Sequence, residues 1–186
     1  MKVTPLEIPE VLLVEPKLRG DARGYFVETW QEDRYAEAGI KGRFVQDNLS
    51  RSRYGILRGL HLQHPNDQGK LVYVLEGKVF DVAVDVRVGS PTFGRWVGQH
   101  LSSADHRQMY IPPGFAHGFC VVSETALFAY KCTDVYAPAH ELGVAWNDPA
   151  LAIPWPVAEP LVSDKDCGHP TLAQIDHDRL PHWKTP

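Results

Sequence analysis

The run Lys78-Val79-Phe80-Asp81-Val82-Ala83-Val84-Asp85-Val86-Arg87-Val88 decides how this chain is read. One parity carries Phe80, Val82, Val84, Val86 and Val88; the other carries Val79, Asp81, Ala83, Asp85 and Arg87. Successive side chains of a strand point to opposite faces, so a period of two indicates β-structure. The purely apolar face suits a sandwich core, and the partly polar face suits a wet cavity or solvent. Outward from this run, shorter apolar stretches recur at 71–75, 108–111, 119–122 and 127–135. Glu76-Gly77, Gly89-Ser90-Pro91 and Pro112-Pro113-Gly114 punctuate them, among 15 Gly and 15 Pro in all. Many short strands separated by turn chemistry predict a mainly β sandwich or barrel.

Helices are expected to be few and short. Residues 31–38 predict one that ends at Gly39, and a second is expected near 171–178. The first 30 residues or so read as an extended arm with a turn at 19–24 and a strand over 25–30. From about residue 155 to 186 the chain is loop-rich, after Pro154-Trp155-Pro156. No repeat, low-complexity tract or linker divides it, so one domain spanning 1–186 is expected.

The 186 residues are 44% hydrophobic and 23% charged, ordinary values for a soluble globular protein. A net charge of −4 and the lack of any Lys/Arg run speak against nucleic acid as the main partner. Met1-Lys2-Val3-Thr4-Pro5 has no signal-peptide core, and no later segment is apolar enough to span a membrane. A cytoplasmic protein is the expectation. Cys120, Cys132 and Cys167 are odd in number and lack zinc-site spacing. The first two lie in apolar runs and read as buried reduced thiols.

Gly59-Leu60-His61-Leu62-Gln63 and Pro112-Pro113-Gly114-Phe115-Ala116-His117 resemble the two strand-turn motifs of a cupin barrel. A metal-binding cupin offers His-x-His, then a carboxylate, then a second-motif His. Here the second His is Gln63, and the carboxylate position, seven residues before the turn glycine Gly77, is Lys70. An ammonium has three donors and no lone pair, so it cannot ligate a cation. The pattern therefore predicts a pocket without a metal, holding a base, a cation and an aromatic acid.

Each of these residues also has a plain structural reading. His61 is either a general base or a barrel histidine held by its neighbours. Lys70 is a solvated strand start unless the cupin register puts it in the pocket, where it would stabilise an enolate oxygen. Tyr130 shares a parity with Phe128 and Cys132, so it points inward; near a lysine its pKa would fall and it would donate a proton. Asp166 is expected in a loop, where it is either solvated or the orienting partner of His61. Arg23, Glu28, Gln46, Asn48, Arg58 and His117 are polar residues among apolar ones, the arginines being suited to a diphosphate. There is no GxGxxG, Walker loop or Gly-x-Ser-x-Gly elbow.

Taken in order, the strings resemble the dTDP-4-dehydrorhamnose 3,5-epimerase family. They are RGYFVE (23–28), FVQDN with Ser50 (44–50), GILRGLHLQ (55–63), KLV (70–72), FDVAVDVR (80–87), SPTFG (90–94), PGFAHGF (113–119), YK (130–131), WNDP (146–149) and SDKD (163–166). The resemblance implies a cupin-like jelly roll, a homodimer, and no metal or redox cofactor. It implies epimerisation of dTDP-4-dehydro-6-deoxyglucose at C3 and C5, in dTDP-L-rhamnose biosynthesis. His61 falls on the general base, Asp166 on its partner, Tyr130 on the proton donor, and Lys70 on the lysine at the reacting sugar. Substrate contacts fall on Arg23, Phe26, Glu28, Gln46, Asn48, Arg58, His117 and Glu141, and Tyr136 on the tyrosine that stacks on thymine. A single-centre epimerase of a related 4-keto sugar is the alternative, with a non-catalytic nucleotide-sugar-binding cupin behind it.

Overall fold

The computed structural model describes residues 1–184. The run that opened the sequence reading forms β8, Lys78–Asp85, and everything else is arranged around it. β8 lies in a five-stranded antiparallel sheet between β11 (Phe115–Val121) and β9 (Trp96–Ser102). β6 (Leu57–Gln63) and β13 (Glu141–Gly143) complete that sheet on the β11 side. The facing six-stranded sheet runs β1 (Lys2–Pro5), β2 (Leu12–Glu15), β10 (Gln108–Ile111), β7 (Lys70–Glu76), β12 (Thr125–Cys132) and β5 (Gln46–Arg53). The mainly β expectation is met.

The faces of β8 are used differently from the expectation. Val79 and Ala83, from the partly polar parity, enter the core between the sheets with Val72, Val74, Phe119 and Phe128. The purely apolar parity points outward, where Val82, Val84 and Val86 meet Leu151, Leu172, Ile175 and Leu180. The loop-rich C-terminal segment thus covers the sheet's outer face and makes a second core. Burying a Leu or Ile side chain contributes about 1.5–3 kcal/mol, so these loop residues hold the segment down without regular structure. The two aspartates of the inner parity are fully buried and satisfied. Asp81 faces His117, while Asp85 accepts from Arg87, Ser90 and Thr92 and ties the following turn.

The remaining elements lie close to expectation. Helix α1 is Glu32–Glu37, capped by the Gln31 side chain and ended at Gly39 with φ +96. The arm forms a separate two-stranded ribbon, β3 (Leu18–Asp21) with β4 (Gly24–Val27), shorter than the strand expected over 25–30. Asp166 lies in a single helical turn, α2 (Asp164–Cys167), rather than a loop, because Ser163 caps that turn by accepting the Asp166 N–H. The helix expected near 171–178 is two separate 3₁₀ turns, Leu172–Gln174 and His177–Arg179.

Candidate active site

His61 and His117 stand directly opposite each other where β6 pairs with β11. Just beyond this pair the register shifts, and Gly59 explains how the strands come so close. A Cβ at residue 59 would lie 2.6 Å from the Gly118 Cα, and its φ is +133. The freed Gly59 N–H donates to Asp166 Oδ2 at 3.2 Å, while Asp166 Oδ1 lies 2.8 Å from His61 Nε2. Burial alone would raise the Asp166 pKa, but the hydrogen bond and charge of His61, with the Gly59 N–H, outweigh it and hold it at about 2. Asp166 is therefore an ionised acceptor. His61 Nε2 must carry the proton, which leaves the lone pair on Nδ1.

In front of His61 lies a cavity of about 320 Å³ lined by Gln46, Asn48, Gln63, Gln68, Lys70, Tyr130, Tyr136 and Glu141 as well as His61. Strands from both sheets supply most of these side chains, and Gln68 and Tyr136 come from loops. Lys70 opens β7 and is only 7% exposed, as the cupin register predicted. Burial lowers its pKa, opposed by Cys132, Asp81 and Glu141. Behind it, His117 Nε2 lies 3.0 Å from Asp81. Burial lowers His117 and raises Asp81, and each partner opposes the other's shift.

Tyr130 pairs with Asn48 on one side and Val72 on the other, and leans on Phe128. Its pKa is not lowered as expected. Burial raises it, and only the field of Arg58 acts the other way. Desolvation outweighs that field, and the phenol keeps its proton. That is the state a proton donor requires.

Gln63, at the position of a metal ligand, is consumed in holding the cavity rim. It donates to the Asn66 and Val135 carbonyls and accepts the Ala137 N–H. The clamped loop presents Tyr136, whose N–H donates to Gln46 and whose hydroxyl donates to Glu141 at 2.8 Å. Burial would raise Glu141, but the Lys165 ammonium at 2.6 Å and the Tyr136 hydroxyl hold it below the usual carboxylate range.

Of the thirteen residues singled out in the sequence, Gln46, Asn48, His61, Lys70, Tyr130, Tyr136 and Glu141 share this cavity. Asp166 and His117 stand directly behind it. Arg58 donates to Ser52 and lines an adjoining groove with His61 and Asp166. Arg23, Phe26 and Glu28 are not brought in. They lie on or beside the ribbon, where Arg23 pairs with Asp21 and Glu28 with Arg34. Phe26 and Glu28 line a separate surface hollow with Met1 and Arg19. Asp81, Gln68 and His169 were not foreseen. Asp81 had a signal, as an acidic residue inside a strongly alternating strand run, and His169 had only its place three residues after Asp166.

The family model for dTDP-4-dehydrorhamnose 3,5-epimerase matches residues 5–174. The dTDP-4-dehydrorhamnose 3,5-epimerase of Pseudomonas aeruginosa is 55% identical over 95% of this chain and 98% of its own. That of Shigella flexneri is 51% identical over 95% of this chain and 99% of its own. The crystal structure of dTDP-6-deoxy-D-glucose-3,5-epimerase from Legionella pneumophila Philadelphia 1, in complex with dTDP-4-keto-L-rhamnose, superposes with a TM-score of 0.96. It is 53% identical and the match covers 99% of both chains. A cupin-type sandwich, a His–Asp pair beside a buried lysine and a half-buried tyrosine, and identity above one half across nearly the whole length agree: the chain belongs to the dTDP-4-dehydrorhamnose 3,5-epimerase family.

Proposed function

We propose that this protein is the isomerase that converts dTDP-4-dehydro-6-deoxy-D-glucose to dTDP-4-dehydro-L-rhamnose, inverting C3 and C5 in dTDP-L-rhamnose biosynthesis. The observation that carries the mechanism is the His61–Asp166 pair opening on a cavity that also holds Lys70 and Tyr130. C3 and C5 both lie α to the C4 ketone, so their protons become acidic once the enolate oxygen is stabilised. His61 takes the proton through Nδ1, and Asp166 stabilises the imidazolium that forms. The Lys70 ammonium, backed by His117, meets the developing oxyanion. A desolvated cation acts there at a low effective dielectric, where it is worth far more than in water. Tyr130 returns a proton to the opposite face, and the centre is inverted. A positioned acid–base pair supplies about 10²–10⁴-fold in rate.

Tyr136 stacks on the thymine, held by Gln46 and Glu141, and Arg58 faces the diphosphate with Gln46 and Asn48 beside the sugar. We assign Arg23, Phe26 and Glu28 to the cavity of a second copy in a homodimer. What supports this is their separation from the cavity of their own chain and the exposure of Tyr25 (60%) and Phe26 (69%) on the ribbon.

Turnover in D₂O by two variants tests the roles. His61→Asn should take up no solvent deuterium at C3 or C5 while still binding dTDP. Tyr130→Phe should exchange deuterium on the original face yet invert neither carbon. Full turnover by either variant would remove that residue from its role.

A further inference from the structure

Asp166 faces one group more than the proposed reaction uses. Its Oδ1 lies 2.8 Å from His61 Nε2 and 3.5 Å from His169 Nε2. The second distance is too long for an ordinary hydrogen bond, and His169 Nε2 is buried without a hydrogen-bond partner. Buried polar atoms are normally paired, so an orphaned ring nitrogen needs a reason. The two imidazoles stand edge to face with centroids 5.8 Å apart. One ligand atom from each of His61, Asp166 and His169 lies within 4.8 Å of the others.

The position of His169 is built into the neighbouring strand. Gly143 is the β13 residue paired with His61. A Cβ there would fall on the His169 ring, so a glycine opposite the base is what admits a second imidazole. The ring stays only 13% exposed beside a charge already balanced nearby, since Lys165 is tied to Glu141.

Two imidazole nitrogens and a carboxylate oxygen form the donor set of a three-ligand zinc site with an open fourth position. Zinc bonds of about 2.0–2.2 Å in a tetrahedron put ligand atoms about 3.3 Å apart. The 2.8 and 3.5 Å separations from Asp166 bracket that spacing, and the two imidazole nitrogens lie within 4.8 Å of each other, so the rings close slightly on the metal. We propose that His61, Asp166 and His169 form an inhibitory zinc site. Zinc takes the place of the proton on His61 Nε2, and one proton is bound at Nδ1 instead, so the ring stays neutral and no net proton is lost from it. Asp166 Oδ1 turns from hydrogen-bond acceptor to ligand, and His169 supplies the lone pair that is otherwise orphaned. The metal thereby exchanges the tautomer and removes the lone pair that abstracts the substrate proton. The inhibition rests on His61 being the base; the binding does not.

Calorimetric titration of chelator-treated protein with ZnCl₂, free of nucleotide, reads the binding. Wild type should take up one zinc per chain at this site. His169→Asn should weaken it by about a hundredfold or more, beyond what loss of an outer partner alone costs. Gly143→Ala, which displaces the same ring from the opposite strand, should give the same loss. Deuterium exchange into substrate, with free zinc buffered, should fall with zinc occupancy in wild type and recover with EDTA. Equal zinc affinity in wild type and both variants would overturn the site, and full exchange by zinc-loaded wild type would overturn the inhibition. Failure of the base assignment shows separately, as exchange by zinc-free His61→Asn.

Discussion

The carboxylate proposed to orient the base, Asp166, is also tied to stability. It is 4% exposed and held at about 2, below its ordinary 3.8. A depressed carboxylate contributes stability that is complete above its unfolded pKa and lost as pH falls through the folded one. The shift corresponds to about 2 kcal/mol. In urea unfolding, wild type should exceed Asp166→Asn by about that amount at neutral pH, and the gap should close between about pH 4 and pH 2. A gap that stays constant through that window would mean that Asp166 is not depressed in the folded protein. At this scale the sequence was informative where a residue type is rare in its setting. Lys70 and Gln63, picked out because they replace expected ligand types, do lie at the cavity. The state of Tyr130 was not legible, because it depends on how much water surrounds the phenol, and burial outweighed any nearby cation.

The elements most visible in the sequence were those with a strict period or a forced turn. β8 was visible because every second residue is apolar, and α1 because Gly39 stops it at positive φ. β9 was missed, since only Val97 and Leu101 of its seven residues are buried and the polar Gln99 stands between them on the same face. Which face of β8 looks inward was also not legible. Its outer face is covered by a segment with no periodicity, and that packing exists only in three dimensions. The β7–β8 turn rests on Gly77, at φ +81, where a Cβ would collide with the Thr125 carbonyl oxygen. Gly77→Ala should therefore lose about 1–3 kcal/mol from backbone strain, with the collision adding to it. An unchanged urea midpoint would show that the turn relaxes freely.

The whole molecule is organised so that both sheets feed one cavity while the N-terminal ribbon stands apart. Arg23, Phe26 and Glu28, expected at the site from the sequence, lie outside their own chain's cavity, and the proposed second copy is what would bring them to one. Light scattering should give a mass about twice that of the 20.9 kDa chain; a fully active monomer would break the assignment of the ribbon to a second copy. No described helix is long and apolar enough to cross a membrane. The most direct test of the account is proton NMR of dTDP-4-dehydro-6-deoxyglucose turned over by the wild-type protein in D₂O. Deuterium should appear at both C3 and C5, with the L-configured product. Deuterium at one carbon only, or at neither with the nucleotide sugar bound, would contradict it.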